Sequence, residues 1–485
     1  MKKEYFMTDY LFSIRRDGNA QLDSYEGKDS HLVIPDSYEG RPVTVIADNA
    51  FSWLSGIQSV IIPETVTTLG EAAFSWCESL KTVSIPQTVK TIGEWCFIGC
   101  SSLKSISIPP AVRKINYSTF QSCTELVTVS LPDSLHLIGP EAFAECRSLR
   151  FITLPKNLSE LGENAFASCD SLISINIPNH LQKIGNGAFS NCTSLSSITI
   201  SPDHPVFMSD DNVLINKKEK RLFFYPFEKS DREYIVPDTV SVIDEEAFAN
   251  RLHLESVSLP DSVHIIEQKA FYGCRNLKSI QLNENITRIS PNAFHGCSSL
   301  KEIQLPSNLT SIEYSVFYAC ASLSAIRIPD SIRFISSCAF SGCSSLKSLD
   351  LPEGLVEIGE SAFEGCRSLE ELVLPASLRT LGPHAFGSCS MLETVSFRSG
   401  LKVIPPMLFS RCESLNSVHL PDTLEEIGSE AFINCENLIS LQIPMAVSSI
   451  DPDAFTECRH LMLFVYPDSY AKDYAADRGI LFSEV

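Results

Sequence analysis

Thiols are the residues best equipped for chemistry in this 485-residue chain, and fifteen of its seventeen cysteines stand on one ruler. Cys77, Cys100, Cys123, Cys146, Cys169 and Cys192 are each 23 residues apart, and Cys274, Cys297, Cys320, Cys343, Cys366, Cys389, Cys412, Cys435 and Cys458 keep the same step. Thiolates can pair, bind zinc or attack an electrophile. A step repeated over so many cycles instead signals stacked coils with equivalent residues in columns. Parallel Cβ vectors in such a column stay about 4.8 Å apart, beyond the roughly 3.8 Å a disulfide prefers. Zinc needs four sulfurs converging at about 2.3 Å, which a straight column cannot offer. The ladder thiols are therefore read as small buried hydrophobes. Cys96 and Cys338, off the ruler, are the two candidates for reactivity.

Other chemistry is sparse. The residue after the repeating proline is acidic in Glu64, Asp133, Asp238, Asp261, Glu284, Asp330, Glu353 and Asp422, a column that could collect Ca²⁺ or simply form a solvated edge. Gln87, Lys156 and Ser307 interrupt it, which favours the edge. His136, His180, His264 and His384 fall in corners or turns, none beside a plausible nucleophile. There is no HExxH, GxSxG or GxxxxGKS/T motif. Asn157, Asn285 and Asn308 match a glycosylation pattern, but their slot suits a side chain that binds backbone. No cofactor and no enzymatic activity are expected.

A formal charge of −21 argues against nucleic acid and anionic membranes. No apolar run approaches the roughly 18 residues of a spanning helix. Met1 to Phe6 begin with positive charge, yet no apolar signal core follows. The expectation is a cytoplasmic monomer, with a cell-surface or secreted place by a non-classical route as the alternative.

Each coil reads as a strand, a corner and a short helical turn. In Cys77–Cys100, apolar Leu80, Val83 and Ile85 flank Thr82 and Ser84, the alternation of a short strand with one buried face. Pro86, lacking an N–H, stops it. Val89 and Ile92 point inward and Gly93 allows a tight corner. A proline follows the corner glycine in Ile138–Cys146 and Leu381–Cys389, as in the first turn of a helix. Phe51 and Phe248 mark two coils with Leu54 and Arg251 in the cysteine slot, giving about seventeen coils and a stack on the order of 80 Å.

Leu126, Val129, Leu131, Pro132, Leu135, Ile138, Gly139, Ala142, Phe143 and Cys146 carry a pattern that resembles the BspA-like, or Treponema-type, leucine-rich repeats, from Pro35 to Pro467. The resemblance implies an α/β repeat solenoid, a horseshoe or arc with its parallel sheet on the concave face and helical turns on the convex one. It also implies a scaffold without a shared active site. Some members are surface proteins that bind host matrix or other cells.

Residues 1–50 read as an N-terminal β cap, 51–200 as the first half of the solenoid, 201–237 as a β-hairpin insertion, 238–466 as the second half and 467–485 as a C-terminal cap. The insertion carries Phe207, Phe223, Phe224, Tyr225 and Phe227, which either cover a seam or form an aromatic binding patch. The outward residues of the first-half strands are mostly Ser and Thr, as in Ser105/Ser107 and Thr128/Ser130. Those of the second half vary: Glu302, Gln304, Arg327, Asp350, Glu371 and His419. Varied chemistry on a fixed scaffold is how repeat proteins bind. The expected function is recognition of a protein or peptide there, without catalysis. A surface adhesin for host matrix or glycans is the first alternative, and an enzyme hidden in residues 201–237 is the second.

Overall fold

The computed structural model describes residues 9–398 and 400–485, so the charged start at Met1 to Phe6 lies outside the described residues. The chain forms two compact units, Met1–Lys229 and Ser230–Val485. Both are parallel β-solenoids built from the same coil.

A coil begins with the strand that the alternation predicts. Thr82–Ser84 and its equivalents pair in parallel with the strand one coil away, in register at a step of 23: Ser59↔Thr82, Ser105↔Thr128, Ser174↔Ser197 in the first unit and Ser256↔Ser279, Glu302↔Ala325, Thr394↔Ser417 in the second. His31–Val33 is the first rung. The proline then opens a turn, with Leu135 N–H donating to Pro132 O at 3.1 Å. A two-residue strand follows, such as Leu137–Ile138, and these too stack as a second parallel sheet.

The corner glycines are needed for close approach. A Cβ on Gly162 would lie 2.3 Å from Pro140 N in the neighbouring coil.

The expected helical turn is absent. Two successive tight turns take its place, closed by Ala142 N–H to Gly139 O at 3.3 Å and Cys146 N–H to Phe143 O at 3.2 Å. Each has a left-handed residue in its third position, here Glu141 (φ 52°) and Glu145 (φ 60°). Pro140 thus occupies the second place of a turn that needs positive φ next, which proline suits as well as it suits a helix start. Alternate N–H groups leave the coil: Glu141, Phe143 and Glu145 donate to Glu163, Ala165 and Ala167 O at 2.7–2.9 Å. Turn bonds within the coil alternate with bonds to the next coil, and together they replace the helix.

Inside, the phenylalanines stack rung on rung, from Phe51–Phe74 at 4.9 Å and 4° in one unit to Phe363–Phe386 at 5.3 Å and 0° in the other. The ladder cysteines hold this column in place. Cys100 Sγ–H donates to Phe74 O of the preceding coil at 3.1 Å, and Cys297 to Phe271 O at 3.2 Å. Cysteine is thus a small side chain with one donor, matched to a buried carbonyl that would otherwise accept only a single N–H.

The insertion in the first unit has three antiparallel strands, not a simple hairpin: Phe207–Asp210, Val213–Asn216 and Arg221–Phe224. Asp211 and Asn212, both at positive φ, make the first of its turns. Phe207, Phe224 and Tyr225 are buried and Phe224 meets Phe189 edge-on at 6.2 Å, so these three rings serve packing, while Phe223 and Phe227 are half-buried. Asn157, Asn285 and Asn308 reach the carbonyls of Asp133, Asp261 and Glu284 at 2.8–2.9 Å. The helix Tyr470–Arg478, capped by Ser469 and Gly479, and the strand Leu481–Glu484 close the second unit.

Candidate binding surface

The candidate site lies on the first sheet of the second unit, where strand period alone decides which side chains face out. Glu302 and Gln304 flank buried Ile303, Arg327 follows buried Ile326, and His419 follows buried Val418. Glu371 precedes buried Leu372, and Asp350 follows buried Leu349. All six candidates are exposed.

Their neighbours in register are mostly neutral: Glu302 faces Ala325, Gln304 faces Arg327, Glu371 faces Thr394, and His419 faces Ser396. Elsewhere the molecule pairs charges rung to rung, as in Lys278–Glu255 at 2.7 Å and Lys402–Glu425 at 2.6 Å. Lys278 holds the Glu255 carboxyl below its ordinary value. Among the described residues, none of the six candidates has such an ion pair. Opposite charges one rung apart meet readily on this scaffold, and the outward row does not pair its own in that way.

The row is not uniform. Residues 347–351 form no strand, and the ladder breaks between Ala325–Arg327 and Glu371–Leu374. A shallow cavity of about 330 Å³ opens there, lined by Asp350, Glu353, Glu371, Val373 and Arg398 among others. It brings Asp350 and Glu371 together with two residues not anticipated as neighbours. Arg398 reaches Glu353, two coils back, at 3.3 Å. The signal was present: Arg398 stands where proline recurs, and its N–H extends the ladder to Leu374 O at 2.9 Å.

The other chemistry resolves simply. Burial pushes the thiols of Cys77, Cys123, Cys274, Cys320 and Cys389 up to about 12. Cys96 is buried and raised by the same cause, so it is not a reactive candidate. Cys338 is half-buried and also raised by burial. A hydrogen bond between Cys435 and Cys458 holds Cys458 below its ordinary value, which the sequence did not single out. No three His, Cys, Asp or Glu groups among the described residues are placed to hold a metal ion. In the acidic column, Asp133 pairs with Lys156 at 2.9 Å and Glu284 accepts from Ser307.

His204, also missed, is fully buried. Its Nδ1 accepts from the N–H groups of Val206 and Phe207 at 3.1 and 3.0 Å, so Nε2 carries the proton and donates to Pro178 O at 3.1 Å. With both nitrogens engaged it folds the insertion's entry and has none spare as a base.

A family model for the BspA type leucine-rich repeat region matches residues 31–133, 113–210, 221–347 and 334–462. The chain is 32% identical to a leucine-rich cell surface protein from Faecalibacterium prausnitzii A2-165, with a TM-score of 0.63 over 78% of this chain and 94% of that one. It is 27% identical to a leucine-rich repeat protein from Bacteroides ovatus ATCC 8483, with a TM-score of 0.51 over 86% of this chain and all of the other. A comparison with curated proteins finds no match. The chain belongs to the BspA-type leucine-rich repeat family.

Proposed function

We propose that this chain is a non-enzymatic scaffold that binds a protein or peptide through the first sheet of its second unit. The observation that carries the reading is the row Glu302, Gln304, Arg327, Asp350, Glu371 and His419: exposed, chemically varied and, among the described residues, without ion pairs. From Glu302 to His419 it crosses six rungs, about 24 Å at roughly 4.8 Å per step. That length suits a folded protein edge or an extended peptide better than a metabolite. The test is capture of a partner from the native cell by the intact chain and by the Arg327→Ser/Asp350→Ser variant. Binding should weaken at least tenfold, since hot-spot losses exceed about 1–2 kcal/mol. Unchanged binding would refute the site.

A second reading, a cell-surface adhesin, is favoured by one finding: the relative at 32% identity is described as a cell surface protein. No helix of the described residues is long and apolar enough to cross a membrane. Cleavage of the chain by protease added to intact cells supports the surface reading, and complete protection opposes it.

A further inference from the structure

All three tryptophans of the chain crowd one stretch of the turn face in the first unit, at its left-handed corners. Trp53, Trp76 and Trp95 sit at φ of 65°, 56° and 53°. Other coils place Gly99, Gly187, Gly273 or Gly296 at these left-handed corners, but also Glu145, Lys269, Met407 and Arg411, so the corner accepts many side chains and these coils fill it with indole rings. The rings add little to the core. Trp53 is 67% exposed, and Trp76 and Trp95 are only half-buried.

The rings form a built surface. Trp53 stacks on Trp76 at 5.2 Å and 10°, and Trp95 meets Tyr117 edge-on at 5.4 Å. A Cβ on Gly99 would lie 2.4 Å from the Trp76 ring, so the missing side chain makes room for it. What sets these corners apart is therefore the stacked and exposed indole surface, not the backbone conformation.

Charge indicates the occupant. Over the turn-face residues 48–55, 71–78, 94–101 and 117–124, the sequence has Asp48, Glu71, Glu78 and Glu94 and no lysine or arginine. The three at 48, 71 and 94 are successive rungs of one column, next to the column that contains Trp95. Tryptophan faces attract cations more strongly than other aromatic side chains, and a surrounding set of carboxylates strengthens the preference. We infer that this turn face is a second binding site, for a lysine- or arginine-rich peptide segment of a partner protein. It lies on another unit and another face from the first-sheet row, and does not depend on that row being a binding site.

Because no tryptophan lies elsewhere, emission reports this site alone. Titrating the whole chain with an arginine hexapeptide in about 150 mM salt should quench tryptophan emission saturably, and a glutamine hexapeptide should not. Trp53→Ala and, separately, Glu71→Gln with Glu94→Gln should each weaken arginine-peptide binding at least tenfold by calorimetry, with circular dichroism unchanged. Arg327→Ser should leave it unaltered. Three results would overturn the inference: binding insensitive to both variants, which marks general attraction to an acidic chain; equal quenching by the glutamine peptide, which marks an apolar site; or self-association abolished by Trp53→Ala, which assigns the face to a second copy.

Discussion

At Ser105–Ser107 and Thr128–Ser130 the inward residues are Ile106 and Val129, and every outward one is a small hydroxyl. At Glu302–Gln304 and Ala325–Arg327 the inward residues are Ile303 and Ile326, while the outward ones bring an acid, an amide, a methyl and a guanidinium. Both pairs share the backbone, the register and the Cys–Phe columns behind. The inside of a coil answers to its neighbours in the stack, so it repeats. The outside answers only to what it meets, so it can diverge. The turn faces differ in the opposite sense: the first unit gathers the tryptophans, whereas the second has Tyr272, His295 and Tyr318 stacked at 4.6 Å.

The largest expected effect tests whether the two interiors are alike. Thiols raised to about 12 are thiolate to about one part in 10⁴ at pH 8, so a disulfide reagent should modify Cys77, Cys123, Cys274 and Cys320 very slowly in the native protein and rapidly after denaturation. Cys458 should react first, and peptide mapping would read the order. Rapid native labelling of both ladders would break the shared-interior account.

Removing one ring comes next. Phe294→Ala and Phe143→Ala each take a fully buried ring from a continuous stack and should each cost about 3–5 kcal/mol. Hydrogen exchange should rise around residues 271–320 for the first and 120–169 for the second, since coupling in a repeat stack is nearest-neighbour. Loosening spread evenly over distant coils would contradict this.

Acid should separate the first unit's insertion from its coils. Burial lowers the His204 pKa, so the folded state binds fewer protons than the unfolded one near pH 6. The neutral ring's contribution is complete above the unfolded value of about 6.5 and is lost as pH falls through the folded value. Protection of the amides in residues 201–224, relative to their intrinsic exchange rates at each pH, should therefore be lower at pH 5 than at pH 7.5, and His204→Asn should flatten the difference.

The smallest effect is on folding by surface change. Arg327→Ser with Asp350→Ser should shift stability by no more than about 0.5 kcal/mol, as exposed sites away from packing do. Chemical denaturation measures it, and a larger loss would mean that the row serves the fold.

Strands and outward positions were readable because alternation and the proline stop are local signals. The N-terminal segment read as a β cap holds the strand Tyr10–Ile14, and the C-terminal cap holds the helix Tyr470–Arg478. The turn face was not readable. Glu141 and Trp95 give no hint of positive φ, and the hydrogen bonds that hold the corners run to residues 22 positions away. The candidate row followed from period 2, but the cavity beside Asp350 did not. It depends on a break at 347–351 and on Arg398 in a proline slot, a departure visible only against the repeat. His204 was passed over because its value lies in two backbone N–H groups that only the folded chain brings to it.

The most direct test of the binding account needs no partner in hand. A photo-crosslinking amino acid placed at Gln304 or at Ser107, equivalent outward positions of the two units, can be activated in the native cell. Discrete adducts at Gln304 and none at Ser107 are the predicted result. Adducts at Ser107 with none at Gln304 would contradict it.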